Sequence, residues 1–276
     1  MRNVNAEKII EPLGQMIRQT LACVDSATQK LVERAHNIET APLCKWALGE
    51  IVKNNRIAKE TGAFPCQDCG QAVLFVSLGQ NLHIDGSLPN ALQKGVELGY
   101  SEARKSVADP LTRVNTGTNT PAVIHYELTD GEQLVIAFLA KGAGAENMSR
   151  VFMLTPSKGE QGIINSVAET VEQAGSNPCP PIILGVGIGG TMEMCALLSK
   201  KALLRGSGMP SPIPQIRELE ETLLARVNTL NIGAQGFGGR ITALSVAIET
   251  APTHIGMLPV AVNVQCHSVR HGKLII

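Results

Sequence analysis

The sequence has few aromatic residues and no net charge. Phe, Trp and Tyr make up 3% of its 276 residues, and 24 Lys and Arg are balanced by 24 Asp and Glu. A surface that stacks bases needs aromatic side chains, and binding to nucleic acid or to an anionic membrane needs an excess of positive charge. The composition therefore argues against nucleic acid and membranes as partners.

Long hydrophobic runs are also lacking. The longest strongly apolar stretch, 180–190, is far shorter than the ~20 residues of a membrane-spanning helix. Glu7 and Glu11 fall where the apolar core of a secretory signal would lie, so no signal peptide is expected. Hydrophobic residues still amount to 44%, which is enough for a buried core. We expect a folded cytoplasmic protein.

The cysteine pattern does not resemble a disulfide framework, because the seven cysteines are odd in number and widely spaced. Cys66-Gln67-Asp68-Cys69 is a lone C-x-x-C motif that leaves redox, zinc-binding and incidental interpretations open. Cys66, Cys179 and Cys266 each lie in loop-like or strand-end sequence, where cluster ligands are often found. From spacing alone, this triplet is a weak pattern.

Helical and strand-like segments are mixed without strict alternation, which predicts an α+β fold. We expect helices packed with an antiparallel sheet in a single structural domain over residues 1–276. Apolar residues at three- and four-residue steps predict a first helix with Ile9, Leu13 and Ile17 on one face. Further predicted elements are helices over 26–36, 42–59, 87–107 and 191–204, strands over 72–79 and 258–265, and a hairpin over 121–140 that turns at Asp130-Gly131.

Gly185, Gly187 and Gly190 satisfy G-x-G-x-x-G between a predicted strand and a predicted helix. This is the local context of a dinucleotide-binding loop. The acidic strand end expected about 20 residues later is missing, since that region is the proline-rich loop 206–215. Close packing of a helix on a strand is therefore favoured over a nicotinamide site.

Seven segments, in order along most of the chain, resemble the α region of iron–sulfur hydro-lyases, namely class I fumarate hydratase and L-tartrate dehydratase. They are FPCQD (64–68), VNTGTNTPA (114–122), AKGAGAEN (140–147), NPCPP (177–181), GVGIGGTME (185–193), GAQGFGG (233–239) and HIGMLPVAVNVQC (254–266).

The resemblance implies roles for individual residues. Cys66, Cys179 and Cys266 match three thiolate ligands of a [4Fe–4S] cluster whose fourth iron has no protein ligand. The remaining matches are Asp68 and His254 as catalytic pocket residues, Gln67 as a pocket residue, Arg104 as the group that holds a substrate carboxylate, and Gly142 and Gly144 in a loop whose backbone approaches the substrate. Arg104 and His254 are expected to line the same cavity as the cysteines. Cys69 departs from the pattern, and Cys66 is favoured as the ligand of that pair.

The function that the resemblance implies is reversible hydration of fumarate to malate, with L-tartrate dehydration as the alternative. A structural or redox-sensing iron–sulfur protein is the alternative of another class, and Cys69 as a fourth thiolate is its one supporting feature. The chain ends at GKLII, where single-chain relatives continue. We therefore expect a separate β subunit that completes the site and supplies the proton-abstracting base, in a hetero-oligomer.

Overall fold

The computed structural model describes residues 2–276. The chain divides into two compact units, each built from discontinuous segments. The first comprises Met1–Asp25, Ile57–Ala143 and Arg270–Ile276, and the second comprises Ser26–Arg56 and Gly144–Val269. Helices and mixed sheets in both units confirm the α+β class. The assignment of residues 1–276 to one hydro-lyase α domain stays a prediction.

The helices are α1 (Glu7–Ala22), α2 (Ser26–Ile38), α3 (Pro42–Thr61), α4 (Leu88–Gly99), α5 (Ala143–Glu146), α6 (Gly159–Ala174), α7 (Met192–Ala202) and α8 (Pro214–Asn228). Short 3-10 helices lie at Pro156–Lys158, Leu203–Arg205 and Ala234–Gly236. The strands are β1 (Arg2–Asn5), β2 (Gln71–Gly79), β3 (Leu82–Asp85), β4 (Val123–Thr129), β5 (Leu134–Lys141), β6 (Arg150–Leu154), β7 (Ile182–Gly189), β8 (Ala243–Ala251), β9 (Leu258–Cys266) and β10 (His271–Ile275). Within the described residues, no helix is both long and apolar enough to cross a bilayer.

The first unit contains a four-stranded sheet in the order β10-β5-β2-β4. Helices α1 and α4 contribute to its hydrophobic core, together with Leu74, Ile136 and Phe138 of the sheet. The predicted apolar face of α1 is confirmed, because Ile9 and Leu13 are fully buried in this core. The chain end also belongs to the sheet, since β10 pairs antiparallel with β5.

The predicted hairpin over 121–140 is wrong. Strands β4 and β5 both form, but β2 lies between them, parallel to β4 and antiparallel to β5. The connecting turn passes over the end of β2: Gly79 N donates to Gln133 O (2.9 Å) and Asn81 N donates to Gly131 O (2.8 Å). A β-carbon on Gly79 would lie 2.6 Å from Gly131 O, so a glycine is needed at this crossing.

Helix α4 begins as predicted, with the Ser87 side chain capping the amide of Asn90 at 3.4 Å. It ends at Gly99, about two turns earlier than predicted, so Arg104 does not lie on a helix. The buried side chain of Asn119 binds backbone groups that a longer α4 would use in its own hydrogen bonds. Its Oδ1 accepts from Ser106 N (2.6 Å), and its Nδ2 donates to Arg104 O (2.9 Å). Those bonds hold the segment after α4 in an irregular conformation.

The second unit contains a sheet in the order β6-β9-β7-β8, in which β7 is parallel to β8 and antiparallel to β9. Leu184 and Val186 face a core that includes residues of α6 and α8. Gly185 and Gly187 alternate with them and face α7, where added β-carbons would lie 2.0 Å from the carbonyl oxygens of Ser199 and Cys195. The GVGIGG segment therefore allows a helix to pack directly on a strand, as the sequence favoured.

Candidate active site

The residues implied by the resemblance are shared between the two units. The first unit holds Cys66, Gln67, Asp68, Arg104 and Gly142, and the second holds Gly144, Cys179, His254 and Cys266. Within each unit, the structure shows which of these residues lie close together.

Asp68 is the hydrogen-bonding centre of the turn between α3 and β2. Its Oδ1 accepts from Gly70 N and its Oδ2 accepts from Ala143 N, both at 2.9 Å. Its own amide donates to the Cys66 sulfur at 3.4 Å. The Asp68 carboxylate thus ties the cysteine turn to the loop that follows β5, while the neighbouring Gln67 is exposed.

Gly142 lies directly against this carboxylate. A β-carbon at Gly142 would be 3.1 Å from Asp68 Oδ2, tighter than most contacts of a side chain. The structure therefore brings two predicted site residues, Asp68 and Gly142, together. A side chain at position 142 would crowd the Asp68 carboxylate, so this position favours glycine for lack of space and not only for backbone flexibility.

The two cysteines of the C-x-x-C motif occupy different environments. Cys69 is 2% exposed within the hydrophobic core of the first unit, and its carbonyl accepts a hydrogen bond from the Tyr100 hydroxyl at 3.3 Å. Cys66 is half-buried, and its sulfur accepts from a backbone amide. These environments favour Cys66 as a ligand and Cys69 as a packed thiol.

Arg104 is exposed, in the irregular segment that follows α4. Its carbonyl is fixed by Asn119, which belongs to the VNTGTNTPA segment. Its backbone is therefore ordered while its guanidinium faces solvent, an arrangement that leaves the charged group available to an anionic ligand.

Cys179 and Cys266 lie at the same end of the central strands β7 and β9 of the second sheet. Cys266 ends β9 and pairs with Ile182, the first residue of β7, and Cys179 precedes Ile182 by three positions. Paired residues on antiparallel strands have Cα atoms about 5 Å apart, so the two cysteines belong to one end of the strands. Cys179 is exposed and has a positive φ of 54°, a backbone conformation that few residues other than glycine adopt.

The loop around Cys179 is held by the GAQGFGG segment. Gln235 donates to the Pro180 carbonyl from its backbone amide (2.8 Å) and from its side-chain amide (3.0 Å). A β-carbon on Gly236 would lie 2.5 Å from that of Ser176, so the two loops are in direct contact.

The GAQGFGG segment is anchored in turn by two buried side chains, Glu39 and Cys44. Glu39 Oε2 accepts from Arg240 N at 2.8 Å and from the Cys44 thiol at 3.3 Å, and Cys44 Sγ accepts from Ala234 N at 3.1 Å. Burial opposes the charged form of Glu39, but the hydrogen bonds it accepts outweigh that effect and hold the carboxyl pKa below its ordinary value. Burial raises the pKa of the Cys44 thiol to about 11, so this cysteine stays protonated.

Sequence reasoning did not single out Gln235, Glu39 or Cys44 as supports of the site. Gln235 could have been identified from the sequence, because it belongs to GAQGFGG, one of the segments on which the family resemblance rests. Glu39 and Cys44 gave no local signal of this role, since the partners through which they hold the later segment, Arg240 and Ala234, are about 200 positions away along the chain.

His254 lies at the opposite end of strands β7 and β9, close to the first residue of β9. It precedes β9, whereas Cys266 ends this nine-residue strand, and a strand of that length separates its ends by about 27 Å. The expectation that His254 lines a cavity with Cys266 is therefore not met within this unit. His254 is exposed, and its Nδ1 accepts from Gly256 N at 3.1 Å in a local turn.

The comparison with known proteins gives the family. Residues 10–275 match the model described as "Fumarate hydratase (Fumerase)". The chain belongs to this family of hydro-lyases. A "Putative L(+)-tartrate dehydratase subunit alpha" from Methanocaldococcus jannaschii is 40% identical, with 96% of both chains covered. The "L(+)-tartrate dehydratase subunit alpha" of Escherichia coli K12 is 31% identical, with 100% of this chain and 94% of the relative covered.

The three predicted ligands of this Fumerase-family chain offer thiol donors outside the buried cores, which is the donor type that holds iron–sulfur clusters. Across residues 2–276, no three His, Cys, Asp or Glu side chains form a group that could hold one ion. No disulfide occurs in that part of the chain, and the three predicted ligands avoid the cores that hold Cys44, Cys69 and Cys195. Burial raises the pKa of the Cys195 thiol as it does for Cys44, so neither is a good source of thiolate.

Proposed function

We propose that this chain is the α subunit of a [4Fe–4S]-dependent hydro-lyase that interconverts fumarate and malate. The observation that carries the proposal is the contrast among the cysteines of a Fumerase-family chain. Cys66, Cys179 and Cys266 lie in loops or at a strand end, whereas Cys44, Cys69 and Cys195 are buried. Cys23, at the end of α1, is also half-buried, but its thiol donates to Val24 O at 3.3 Å.

Cys66, Cys179 and Cys266 are the residues that would hold the cluster. When bound, such a cluster supplies a Lewis-acidic iron that favours departure or addition of hydroxide at the carbon that bears it. The amide of Asp68, which contacts the Cys66 sulfur, stabilises negative charge on that sulfur.

The remaining residues bind and orient the diacid. The exposed guanidinium of Arg104 holds one carboxylate through a two-pronged hydrogen bond, which fixes the orientation of the substrate. The small residues Gly142 and Gly144 allow backbone amides to approach the bound acid. Gln67, exposed beside Cys66, offers a further amide to the substrate.

Asp68 and His254 are the proposed catalytic residues of this chain. Both carboxylate oxygens of Asp68 already accept backbone hydrogen bonds, which keeps the group fixed in one orientation. His254 lies at the opposite end of β9 from Cys266, so it would reach the diacid bound at this cluster only from a second copy of the chain.

A β subunit completes the proposed enzyme. The relatives in Methanocaldococcus jannaschii and Escherichia coli are named as α subunits. None of the roles proposed for the residues of this chain is removal of the proton from C3 of malate. We assign the base for this step to the β subunit of a hetero-oligomer.

L-tartrate is the second candidate substrate, because both relatives carry the name of tartrate dehydratase. Tartrate differs from malate by one additional hydroxyl, so the same carboxylate contacts serve both acids.

The experiment is anaerobic reconstitution of the α chain with its β subunit, followed by separate assays with L-malate, fumarate and L-tartrate. Conversion of fumarate to malate supports the leading proposal, and conversion of tartrate alone supports the second. An enzyme that contains a cluster but converts neither acid would favour the redox-sensing alternative. In that case the cluster spectrum should not respond to either diacid.

A further inference from the structure

Arg270 is a charged side chain enclosed in the first unit. It is 1% exposed and is the largest by residue volume of the fully buried side chains within the described residues. Arginine is rarely buried to this degree, because removing its charge from water is costly unless strong hydrogen bonds compensate. Such a residue calls for an explanation beyond packing.

The backbone of Arg270 is fixed by the first sheet. Its carbonyl accepts from Ala140 N at 2.9 Å, immediately before β10 pairs with β5. The residue therefore extends the β10–β5 ladder by one position, and its side chain starts from a rigid base.

The guanidinium reaches the cysteine turn. Arg270 Nη2 donates to the carbonyl oxygen of Asp68 at 2.6 Å. Burial raises the pKa of Tyr100, and the positive charge of Arg270 is the main influence that opposes this rise. Tyr100 in turn donates to the carbonyl of Cys69, so both side chains hold the backbone of the C-x-x-C motif.

Asp68 is thus held at every polar group. Arg270 binds its carbonyl, Gly70 and Ala143 donate to its carboxylate, and its amide donates to the Cys66 sulfur. Loss of the Arg270 bond would free the one polar group of Asp68 that neither the turn nor the loop after β5 holds.

We propose that Arg270 is a positioning residue that fixes the Cys66–Asp68 turn in the geometry needed for ligand and substrate binding. The inference rests on the proposed function, because the turn matters catalytically only if Cys66 and Asp68 belong to the site. Arg270 acts through the Asp68 backbone and is not assigned a contact with substrate or cluster.

Arginine suits this position better than lysine. Its planar group presents several N–H donors in fixed directions, so it can hold a carbonyl while its charge serves neighbouring groups. Lysine keeps the charge but offers a mobile point donor. The Arg270→Lys variant should therefore keep part, but not all, of the order that the turn has in the wild type.

The test is hydrogen–deuterium exchange of the full-length chain, followed by mass spectrometry. Arg270→Met should speed exchange in the peptide that covers residues 66–71 by about tenfold or more, since a hydrogen bond from a charged donor is lost. Arg270→Lys should be intermediate. The matched control is Lys273→Met on the exposed side of β10, which should stay within about twofold of the wild type.

Equal exchange at 66–71 in Arg270→Met and Lys273→Met would overturn the proposal. If Arg270→Met does not fold, Arg270→Lys decides: faster exchange at 66–71 with unchanged exchange in α6 supports the role, and unchanged exchange at both places refutes it. These measurements need no cluster and no substrate. A wild-type enzyme that is inactive on both diacids would defeat the proposed function while leaving the exchange result readable.

Discussion

Gln235 donates two hydrogen bonds to a single acceptor, the carbonyl oxygen of Pro180, from its backbone amide at 2.8 Å and its side-chain amide at 3.0 Å. Pro180 follows Cys179 directly, so this pair of bonds fixes the backbone of a predicted cluster ligand. The GAQGFGG segment is therefore a support for the cysteine loop.

Gln235→Ala should lower the amount of iron that the chain retains after anaerobic reconstitution. The substitution removes one of the two bonds, worth about 1 kcal/mol, and loosens the loop that presents Cys179. Gln235→Glu should be worse, because a carboxylate would repel the Pro180 carbonyl. Iron and sulfide per chain are the measurement, and Gln173→Ala on the exposed side of α6 is the control. Equal iron in the control and in Gln235→Ala would refute this role.

Glu39→Gln should destabilise the chain near neutral pH by about 2–3 kcal/mol, because a buried carboxylate that accepts several hydrogen bonds is replaced by an amide. The Glu39 pKa is lowered by folding, so its stabilisation is complete above the ordinary value of 4.5 and is lost as the pH falls through the folded value. The difference between wild type and variant should therefore shrink under acid conditions.

Denaturant unfolding at several pH values measures this difference. Glu33→Gln, on the exposed face of α2, provides the control and should have little effect at any pH. A difference between wild type and Glu39→Gln that grows as the pH falls would contradict the assignment.

Gly187→Ala should lower the thermal midpoint by several degrees. The added β-carbon would lie 2.0 Å from the carbonyl oxygen of Cys195, so α7 must move off β7, at a cost of about 3 kcal/mol. Gly144→Ala is the matched control for stability, because its β-carbon would meet only Asn177 O at 3.4 Å. If Gly187→Ala melts at the wild-type temperature, the packing explanation of GVGIGG fails.

Arg104→Met should raise the KM for the diacid without changing stability, because the guanidinium is exposed and is proposed to bind a substrate carboxylate. The loss of a charged, two-pronged contact should raise KM by tenfold or more. Arg34→Met, an exposed arginine on α2, is the control for general charge effects. Steady-state kinetics separate the outcomes, and an unchanged KM would remove Arg104 from the site.

The sequence predicted segments whose structure is set by local chemistry. The apolar face that includes Ile9 and Leu13 and the start of the helix predicted over 87–107 depend on neighbours within a few residues, and both are confirmed. The sequence did not predict features that depend on residues far apart in the chain. The hairpin turn at Asp130-Gly131 is locally plausible, yet β2 enters between the two strands because pairing depends on the whole sheet.

The same distinction applies to the site. Motifs indicated the cysteines, Asp68 and Gly142, but they gave no view of the residues that hold them. Arg270 supports Asp68 from 202 positions away, and Glu39 supports Arg240 from 201. Long-range bonds of this kind leave no periodicity or spacing in a single sequence.

The most direct test of the account is a series of single cysteine-to-serine variants, each reconstituted anaerobically and analysed for iron, sulfide and visible absorbance. Cys66→Ser, Cys179→Ser and Cys266→Ser should each lose most of the cluster, whereas Cys69→Ser and Cys195→Ser should keep it. Retention of a full cluster by any of the first three variants would contradict the assignment of the ligands. In particular, a cluster that is lost in Cys69→Ser but kept in Cys66→Ser would make Cys69 the ligand of that pair.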